Sequence, residues 1–270
     1  MTFIEEVDER LRNLARPPGS LGLLERQARK AILAWGRWET SFRPKHLIFA
    51  ADNGVCRSGA VAQLAEITYM QSSHMVAGTS AVTCFCRCNG IPWEVIDVGI
   101  DSADSVGLDY KIARGTADFA YGPAMTRDQL EAAFAAGRER VEKAVAEGYN
   151  FLSFGEMGIG NTTTSAAVLL GLTRGDVASL TGYGSSHGNF RLALRKQELI
   201  RTALTRYAPQ LHDGADILQY VGGFDLAALT AAMRACADKG IPFYIDGFIT
   251  AAALAAAVQL QPDVRDYALP

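Results

Sequence analysis

Four short apolar runs, each closed by an acidic residue and a glycine, recur along the chain and lead into helical patterns. The runs occupy residues 47–54, 93–99, 151–156 and 242–247, and the helical patterns include residues 127–147, 192–206 and 225–239. Strands that alternate with helices pair in parallel, because each helix returns the chain to the same end of the sheet. Helices then cover both faces of that sheet. The pattern predicts an α/β protein built on a doubly wound, mainly parallel sheet.

The first 40 residues lack this alternation and predict a small helical appendage. Leucines and alanines at helical spacing mark apolar faces in this stretch. The proline pair Pro17 and Pro18 ends a first helix, and Ser20 can cap the next one. With 49% hydrophobic residues, the 270-residue chain has ample apolar material for one large core. We therefore predict an appendage at residues 1–40 and an α/β domain at residues 41–270.

The segment at residues 154–164, F-G-E-M-G-I-G-N-T-T-T, carries the strongest signal of a ligand site. It follows an apolar run at 149–154, typical of a buried strand, and precedes an apolar helical stretch at 165–172. Glycines let the backbone approach a ligand, and Asn161 and Thr162 can cap the helix. The free N–H groups and the dipole of a helix N-terminus favour a phosphate. The segment predicts an anion site, and a tight turn without a ligand is the alternative.

Glu156 within this segment limits which kinds of ligand the site can bind. A carboxylate disfavours a bare phosphate, whereas it suits a sugar hydroxyl or a developing cation beside that phosphate. The glycine order is G-x-x-G-x-G and no lysine follows, which excludes the dinucleotide fingerprint and the P-loop.

The predicted strand ends bring further acids to the same edge of the sheet. Ligands of open parallel sheets bind at the carboxyl ends of the strands, and here these ends carry Asp52, Asp97, Glu156 and Asp246. A single acid at such a position equally well caps a helix or closes a turn. Four of them favour a carboxylate-rich pocket rim.

Two further segments are candidates for this rim. A flexible loop at residues 182–186 starts with Gly182, and Lys196 on the following helix could add a point charge for a phosphate. The alternative for Lys196 is a solvated helix face. Residues 221–225, V-G-G-F-D, form either a second close approach of the backbone or the end of one helix followed by the start of another.

Composition and charge exclude several classes of protein. A net charge of −3 leaves no general footprint for nucleic acid, and no apolar run is long enough to span a bilayer. The N-terminus has acids where a signal peptide has bases, so we expect a cytoplasmic protein. The odd number of cysteines, 5, argues against a disulfide framework. Cys84, Cys86 and Cys88 lack a partner pair at zinc-site spacing, and the scattered histidines suggest no catalytic triad.

Eight motifs in collinear order resemble one known family. They lie at residues 16–22, 51–55, 95–99, 113–116, 123–125, 155–163, 221–225 and 246–248. The segment at 155–163 resembles the family's G-E-M-G-I-G-N-T-T, and the segment at 51–55 resembles its A-D-H-G-V, with Asn53 in place of the usual histidine. Together they resemble the nicotinate-nucleotide:dimethylbenzimidazole phosphoribosyltransferases, which assemble the lower ligand of cobalamin.

This resemblance implies a Rossmann-like fold and a specific reaction. Phosphoribose passes from nicotinate mononucleotide to 5,6-dimethylbenzimidazole, giving α-ribazole 5′-phosphate and nicotinate without a metal or organic cofactor. The leaving nitrogen is a pyridinium and needs no general acid. Carboxylates stabilise the oxocarbenium character of the ribose, and a carboxylate base takes the proton of the benzimidazole. The resemblance also implies small-molecule partners and a homodimer.

The family's site residues carry over to matching positions. Glu156 and Gly158 would hold the ribose phosphate region, with Gly160, Asn161 and Thr162 in the turn and Gly182 and Lys196 completing the phosphate site. Gln71 matches a position that touches the benzimidazole, and Gln63 stands where relatives have a small polar residue. The alternative for Gln63 and Gln71 is exposed helix polarity. Asp246 belongs to the predicted rim, and Glu156 is the predicted catalytic carboxylate.

The resemblance implies two further motifs that these 270 residues do not contain. They are S-H-x-S-A-E and G-E-G-[ST]-G-A, and the glutamate of the second is the family's proposed general base. Three explanations stay open: a fragment of a longer enzyme, a short paralogue that pairs with a complete one, and a catalytically impaired binder of nucleotides or benzimidazoles. The preferred aromatic base also stays open among benzimidazoles, purines and phenols.

Overall fold

A computed structural model describes residues 1–17, 19–39, 41–61, 63–64, 66–182 and 189–270. Its centre is a six-stranded, fully parallel sheet with the strand order β3-β2-β1-β4-β5-β6. The strands are β1 (Pro44–Ala51), β2 (Trp93–Gly99), β3 (Leu108–Asp109), β4 (Phe151–Met157), β5 (Phe243–Tyr244) and β6 (Ala268–Leu269). The predicted doubly wound parallel sheet is confirmed. The two-residue strands β3 and β6 extend it beyond the four predicted strands.

Helices surround this sheet. In the described part of the chain they are α1 (Phe3–Arg12), α2 (Leu23–Trp35), α3 (Glu66–Val76), α4 (Ala81–Cys88), α5 (Arg127–Ala146), α6 (Asn161–Thr173), α7 (Val177–Leu180), α8 (Phe190–Tyr207), α9 (Gly214–Val221), α10 (Phe224–Asp238) and α11 (Gly247–Leu260). Short 3-10 helices occupy Gly54–Ser58, Ala208–Gln210 and Pro262–Asp266. Helices α5, α8 and α10 match the three predicted ones to within two residues at each end. No helix in the described ranges has the length and apolarity to cross a membrane.

The main core lies on one face of the sheet. Leu47 and Phe49 of β1 and Leu152 and Phe154 of β4 alternate toward this face, and all four are fully buried. Helix α10 packs against the sheet and against helices α5 and α11, and its small alanine side chains let these helices approach closely. A Cβ on Gly137 of α5 would come closer than 3.0 Å to a carbonyl of α10. Close helix packing thereby holds α10 deep inside the molecule.

The appendage packs beside the opposite face through α2. The Trp35 indole donates to the carbonyl of Asn150 at 2.7 Å, and the Lys30 ammonium donates to the carbonyl of Arg265 at 2.7 Å. The predicted cap at Ser20 is wrong, because the N-cap residue of α2 is Gly22, which has no side chain to cap the helix. Pro18 lies outside the described residues. The boundary between residues 1–40 and 41–270 stays a prediction.

Strand order locates the crevice where a ligand can bind. Strands β2 and β4 flank β1, and their connections leave in opposite directions, so the strand order reverses between β1 and β4. Loops that diverge at such a switch point leave a cleft at the carboxyl ends of the strands. Phe49 pairs with Glu156 and Ala50 with Met157 in the register of β1 and β4. The glycine-rich segment therefore leaves β4 directly beside the end of β1.

Candidate active site

The glycine-rich turn connects β4 to α6 at the edge of this crevice. A Cβ on Gly158 would lie closer than 3.0 Å to the carbonyl oxygen of Ala51, and Gly160 has a φ of +91°. A Cβ on Gly160 would also meet the sulfur of Cys56 closer than 3.0 Å. Only glycine fits both positions without displacing backbone or a buried side chain. The backbone of the turn is therefore in close contact with the end of β1.

The start of α6 differs from the predicted cap. Gly160 is the N-cap residue and gives no side-chain cap, so capping by Asn161 or Thr162 is wrong. The N–H groups of Asn161 and Thr163 bond to the carbonyls of Gly158 and Gly160 at 3.2 and 2.9 Å. Because the backbone uses these N–H groups itself, the dipole of α6 and a nearby side-chain cation must provide much of the attraction for an anion.

Lys196 of α8 supplies that cation. Its side chain is 2% exposed, and its ammonium donates to the Thr162 hydroxyl at 3.2 Å. No carboxylate pairs with it within the described residues. Burial lowers the pKa of Lys196. The solvated alternative for Lys196 is wrong, because its side chain is buried at the first turn of α6. A buried cation without a carboxylate partner would favour a bound anion, and a phosphate there stays a prediction.

Glu156 and a second carboxylate share one amide. The Asn161 Nδ2 donates to Glu156 Oε2 and, at 3.3 Å, to Asp225 Oδ2. Asp225 is fully buried at the start of α10, and its Oδ1 accepts the N–H of Leu226 at 2.9 Å. Burial, followed by the charge of Glu156, raises the pKa of Asp225 to about 7. Burial also raises the pKa of the half-buried Glu156, with a smaller effect from Asp246.

Asp225 was not among the predicted site residues. In the sequence it belongs to V-G-G-F-D, where the structure shows the end of α9 at Gly222 followed by the start of α10 at Gly223, one of the two alternatives for that segment. A Cβ on Gly223 would come closer than 3.0 Å to side-chain oxygens of Asp225 and Asn53. The second glycine of that pair therefore provides room for a polar cluster, and it was the only sequence signal for Asp225.

Thr68 of α3 links the ends of β1 and β4. Its hydroxyl donates to Asp52 Oδ1 at 2.6 Å and accepts the N–H of Ile159 at 3.1 Å. The N–H of Asp101 donates to Asp52 Oδ2 at 2.8 Å. Burial raises the pKa of Asp52. Asp52 thus lies at the crevice as predicted and organises its floor, while Thr68 was missed because a threonine within a helix has no distinguishing pattern.

Asp97 does not belong to the rim. It lies inside β2 and is fully buried, and its carboxylate accepts the N–H groups of Gly99, Ile100 and Val106. Lys111 Nζ lies 3.3 Å from Asp97 Oδ2. The expectation of a rim carboxylate is wrong for Asp97, because the loop after β2 uses all of its acceptor capacity.

The other predicted residues lie around this centre. Asp246 is exposed between β5 and α11, close enough for its charge to raise the pKa of Glu156. Gln71 is exposed on α3, and Gln63 is half-buried ahead of that helix. Gly182 is exposed, and residues 183–186 of its loop lie outside the described residues. The structure brings Glu156, Gly158, Gly160, Asn161, Thr162 and Lys196 together, and the ligand roles of all these residues stay predictions.

Cys84, Cys86 and Cys88 lie on one helix, α4, and differ in their exposure. Cys86 of α4 is buried and Cys88 is exposed. Within the described ranges, no group of three or more histidine, cysteine and acidic side chains could hold a metal ion. These cysteines therefore belong to the packing and surface of α4.

Comparisons with known proteins agree with this geometry. The family model described as Phosphoribosyltransferase matches residues 1–270. The nicotinate-nucleotide--dimethylbenzimidazole phosphoribosyltransferase of Ruminiclostridium cellulolyticum is 37% identical, with 99% of this chain and 76% of the relative covered. The protein of the same name from Shewanella sediminis is 35% identical, with 98% and 78% covered.

Solved structures give the same result. The crystal structure of CobT from Thermus thermophilus superposes with a TM-score of 0.93 at 31% identity, covering 98% of this chain and 80% of the other. The motifs of the sequence, the switch point of the parallel sheet and the glycine-rich turn are all consistent with these matches. The chain belongs to the phosphoribosyltransferase family of the nicotinate-nucleotide--dimethylbenzimidazole phosphoribosyltransferases.

Proposed function

We propose that this protein transfers phosphoribose from nicotinate mononucleotide to 5,6-dimethylbenzimidazole, giving α-ribazole 5′-phosphate and nicotinate in cobalamin biosynthesis. The observation that carries the proposal is the buried ammonium of Lys196 beside Thr162 at the N-terminus of α6. The names of the relatives support the choice of donor and acceptor.

The phosphate of the donor fits beside Lys196. A buried ammonium without a carboxylate partner is costly, and a dianionic phosphate compensates that cost through charge-assisted hydrogen bonds. The dipole of α6 adds to this attraction. The ribose then lies toward Glu156, since the turn from Gly158 to Gly160 connects the two ends of the site.

Glu156 acts on the carbon of the ribose at which the nitrogen base is exchanged. As the pyridinium nitrogen leaves, positive charge develops on the ribose, and an ionised carboxylate nearby stabilises it. Attack from the opposite face converts the β-nucleotide into the α-product. The benzimidazole proton passes to a carboxylate base, and Asp246, an exposed carboxylate close enough to Glu156 to raise its pKa, is the candidate for that base.

We also expect a cytoplasmic homodimer. Large apolar side chains are exposed along α3 and α4, among them Tyr69, Met70, Val76 and Phe85, with exposed fractions of 39%, 55%, 49% and 70%. Such a surface supports association with a second copy. Sedimentation velocity at micromolar concentration tests this, and a monomer at all concentrations contradicts it.

The direct test is product formation. The 270-residue protein is incubated with nicotinate mononucleotide and 5,6-dimethylbenzimidazole, and α-ribazole phosphate is measured by mass spectrometry. Product above a no-enzyme control supports the transferase. Donor binding by calorimetry without product supports the alternative, a nucleotide-binding protein that needs a partner. If the protein neither binds the donor nor forms product, both the transferase and the alternative are refuted.

Glu156→Gln tests the catalytic assignment in the same assay. Because the amide keeps the shape but not the charge, turnover should fall about 10²-fold, while folding is retained. Glu142→Gln, on the exposed side of α5, is the matched control. Unchanged donor affinity together with unchanged turnover would remove Glu156 from the mechanism.

A further inference from the structure

Asp225 is a fully buried carboxylate to which the proposed transfer assigns no step. Its side chain lies at the start of α10 and accepts a hydrogen bond from the amide of Asn161 at 3.3 Å. A carboxylate in such a place costs free energy unless it is paired or neutral. No lysine, arginine or histidine pairs with Asp225 or Glu156 in the described part of the chain. The structure therefore retains two uncompensated carboxylates around one amide.

We propose that Asp225 is a positioning residue that binds a proton when the donor enters the site, and thereby leaves Glu156 as the single ionised carboxylate facing the ribose. This rests on the proposed function, because it concerns binding of the same phosphate-bearing donor.

The geometry supports coupling between the two carboxylates. Both accept from the Nδ2 of Asn161, so they lie within the ~4–6 Å over which like charges raise each other's pKa. Asp225 is fully buried, whereas Glu156 is half-buried. Desolvation disfavours the ionised form more strongly at the deeper group. A proton shared by the pair therefore resides mainly on Asp225.

The charged groups around Asp225 also favour a proton on Asp225 and an ionised Glu156. From β4 it faces Glu156, beyond which Asp246 raises the pKa of Glu156 from the β5–α11 junction. The cation of the candidate site is Lys196, which donates to Thr162, the residue after Asn161. A bound phosphate neutralises Lys196 and adds negative charge, so it further disfavours two ionised carboxylates.

Among the described residues, no other element that packs against α10 brings a counter-ion to Asp225. Helix α11 has no charged residue, and the charged residues of the 3-10 helix Pro262–Asp266 are exposed. The buried cations of these elements pair elsewhere: Arg140 with Glu94, and Lys45 with Glu94 and Glu147. His46 of β1 bonds to Ser153, and the other cations of α5 are exposed.

Proton linkage of donor binding tests the proposal. Calorimetry of nicotinate mononucleotide binding at pH 7, in two buffers that differ in ionisation enthalpy, gives the number of protons taken up. With a pKa of about 7, Asp225 is half protonated before binding. A rise of about one unit on binding increases its protonation by about 0.4 proton per donor. Asp225→Asn should therefore take up about 0.4 fewer protons than the wild type.

The same linkage predicts a pH profile. Donor affinity of the wild type falls by up to about tenfold between pH 6 and pH 9, because the bound state holds the extra proton. Asp225→Asn loses this part of the pH dependence. Protons exchanged by the phosphate of the donor contribute equally to both proteins and cancel in the comparison. Asp263→Asn, on the exposed 3-10 helix, controls for loss of one charge and should behave as the wild type.

Each outcome decides between the proposals. Equal proton uptake by the wild type and Asp225→Asn, with donor bound to both, overturns the proton role of Asp225 and leaves the transferase intact. Absence of donor binding to the wild type refutes the proposed function instead. If Asp225→Asn does not fold, Glu156→Gln replaces it in calorimetry at pH 8. Removing the neighbouring charge lowers the pKa of Asp225 in both the free and the donor-bound protein, so proton uptake at pH 8 should fall, and unchanged uptake at that pH contradicts the coupling.

Discussion

Replacement of Lys196 by methionine should weaken donor binding and stabilise the protein at the same time. Methionine keeps the unbranched, apolar stem of lysine and removes the ammonium. The ammonium is buried, donates to Thr162 at 3.2 Å and pairs with no carboxylate in the described ranges. Replacing a lysine retained for stability would instead leave the donor affinity unchanged and lower the stability of the protein. The variant therefore separates a ligand role from a structural one.

The size of both effects follows from the burial of the charge. Loss of a charge-assisted hydrogen bond to phosphate costs about 1.5–3 kcal/mol, or roughly 10- to 150-fold in Kd. Removal of the buried ammonium should raise the free energy of unfolding by about 1 kcal/mol or more. Burial lowers the pKa of Lys196 in the folded state, so this gain is complete at pH 7 and disappears as the pH rises past about 10.4, the value of an unfolded lysine.

Calorimetry with nicotinate mononucleotide and with nicotinate riboside measures the binding effect. We expect the large loss only for the phosphorylated ligand. Urea unfolding at pH 7 measures the gain in stability. Lys239→Met, at an exposed position near Glu142, is the matched control and should change neither quantity appreciably. Equal losses for the two ligands, or a less stable protein, would refute the phosphate role of Lys196.

Three further changes test the surroundings of the site. Gly158→Ala places a Cβ closer than 3.0 Å to the Ala51 carbonyl and should cost about 1–3 kcal/mol of unfolding free energy; Gly122→Ala, with open space around it, should cost little by the same urea assay. Thr68→Val removes the hydroxyl between Asp52 and Ile159; thermal unfolding should show a loss of about 1–3 kcal/mol, and an unchanged Tm would contradict the link. Asp225, with its pKa raised to about 7, binds its proton more tightly when folded. Stability should therefore fall by up to about 1.4 kcal/mol per unit as the pH rises from about 4 to about 7, and Asp225→Asn should flatten this slope in urea titrations.

Local patterns predicted the elements that carry the site. The run at 151–156 became β4, the helix after it became α6, and the glycines at 158 and 160 lie where close approach and a positive φ require them. Such features depend on residues near each other in sequence, so they are readable before the fold is known. The edge strands β3 and β6 were missed because two residues carry no periodicity.

Contacts between distant segments were not predictable in the same way. Lys196 on a helix of mixed polarity was compatible with a solvated face, and only its packing against the start of α6 shows that it is buried. Asp97 matched the pattern of a rim acid, yet the loop after β2 folds back onto it. Asn161 matched a cap, yet its amide turns toward Glu156 and Asp225.

The sequence by itself determined the parallel α/β architecture, the position of the anion turn and the family, because periodicity, glycine conformation and collinear motifs are local properties of the chain. The tertiary structure alone decided which polar groups lose water and which of them meet. Desolvation depends on how α3, α8 and α10 pack around the ends of β1 and β4. That packing makes Lys196 an unneutralised cation and raises the pKa of Asp225. It also brings Asp225 to the amide of Asn161, 64 residues away in the chain, which Glu156 shares.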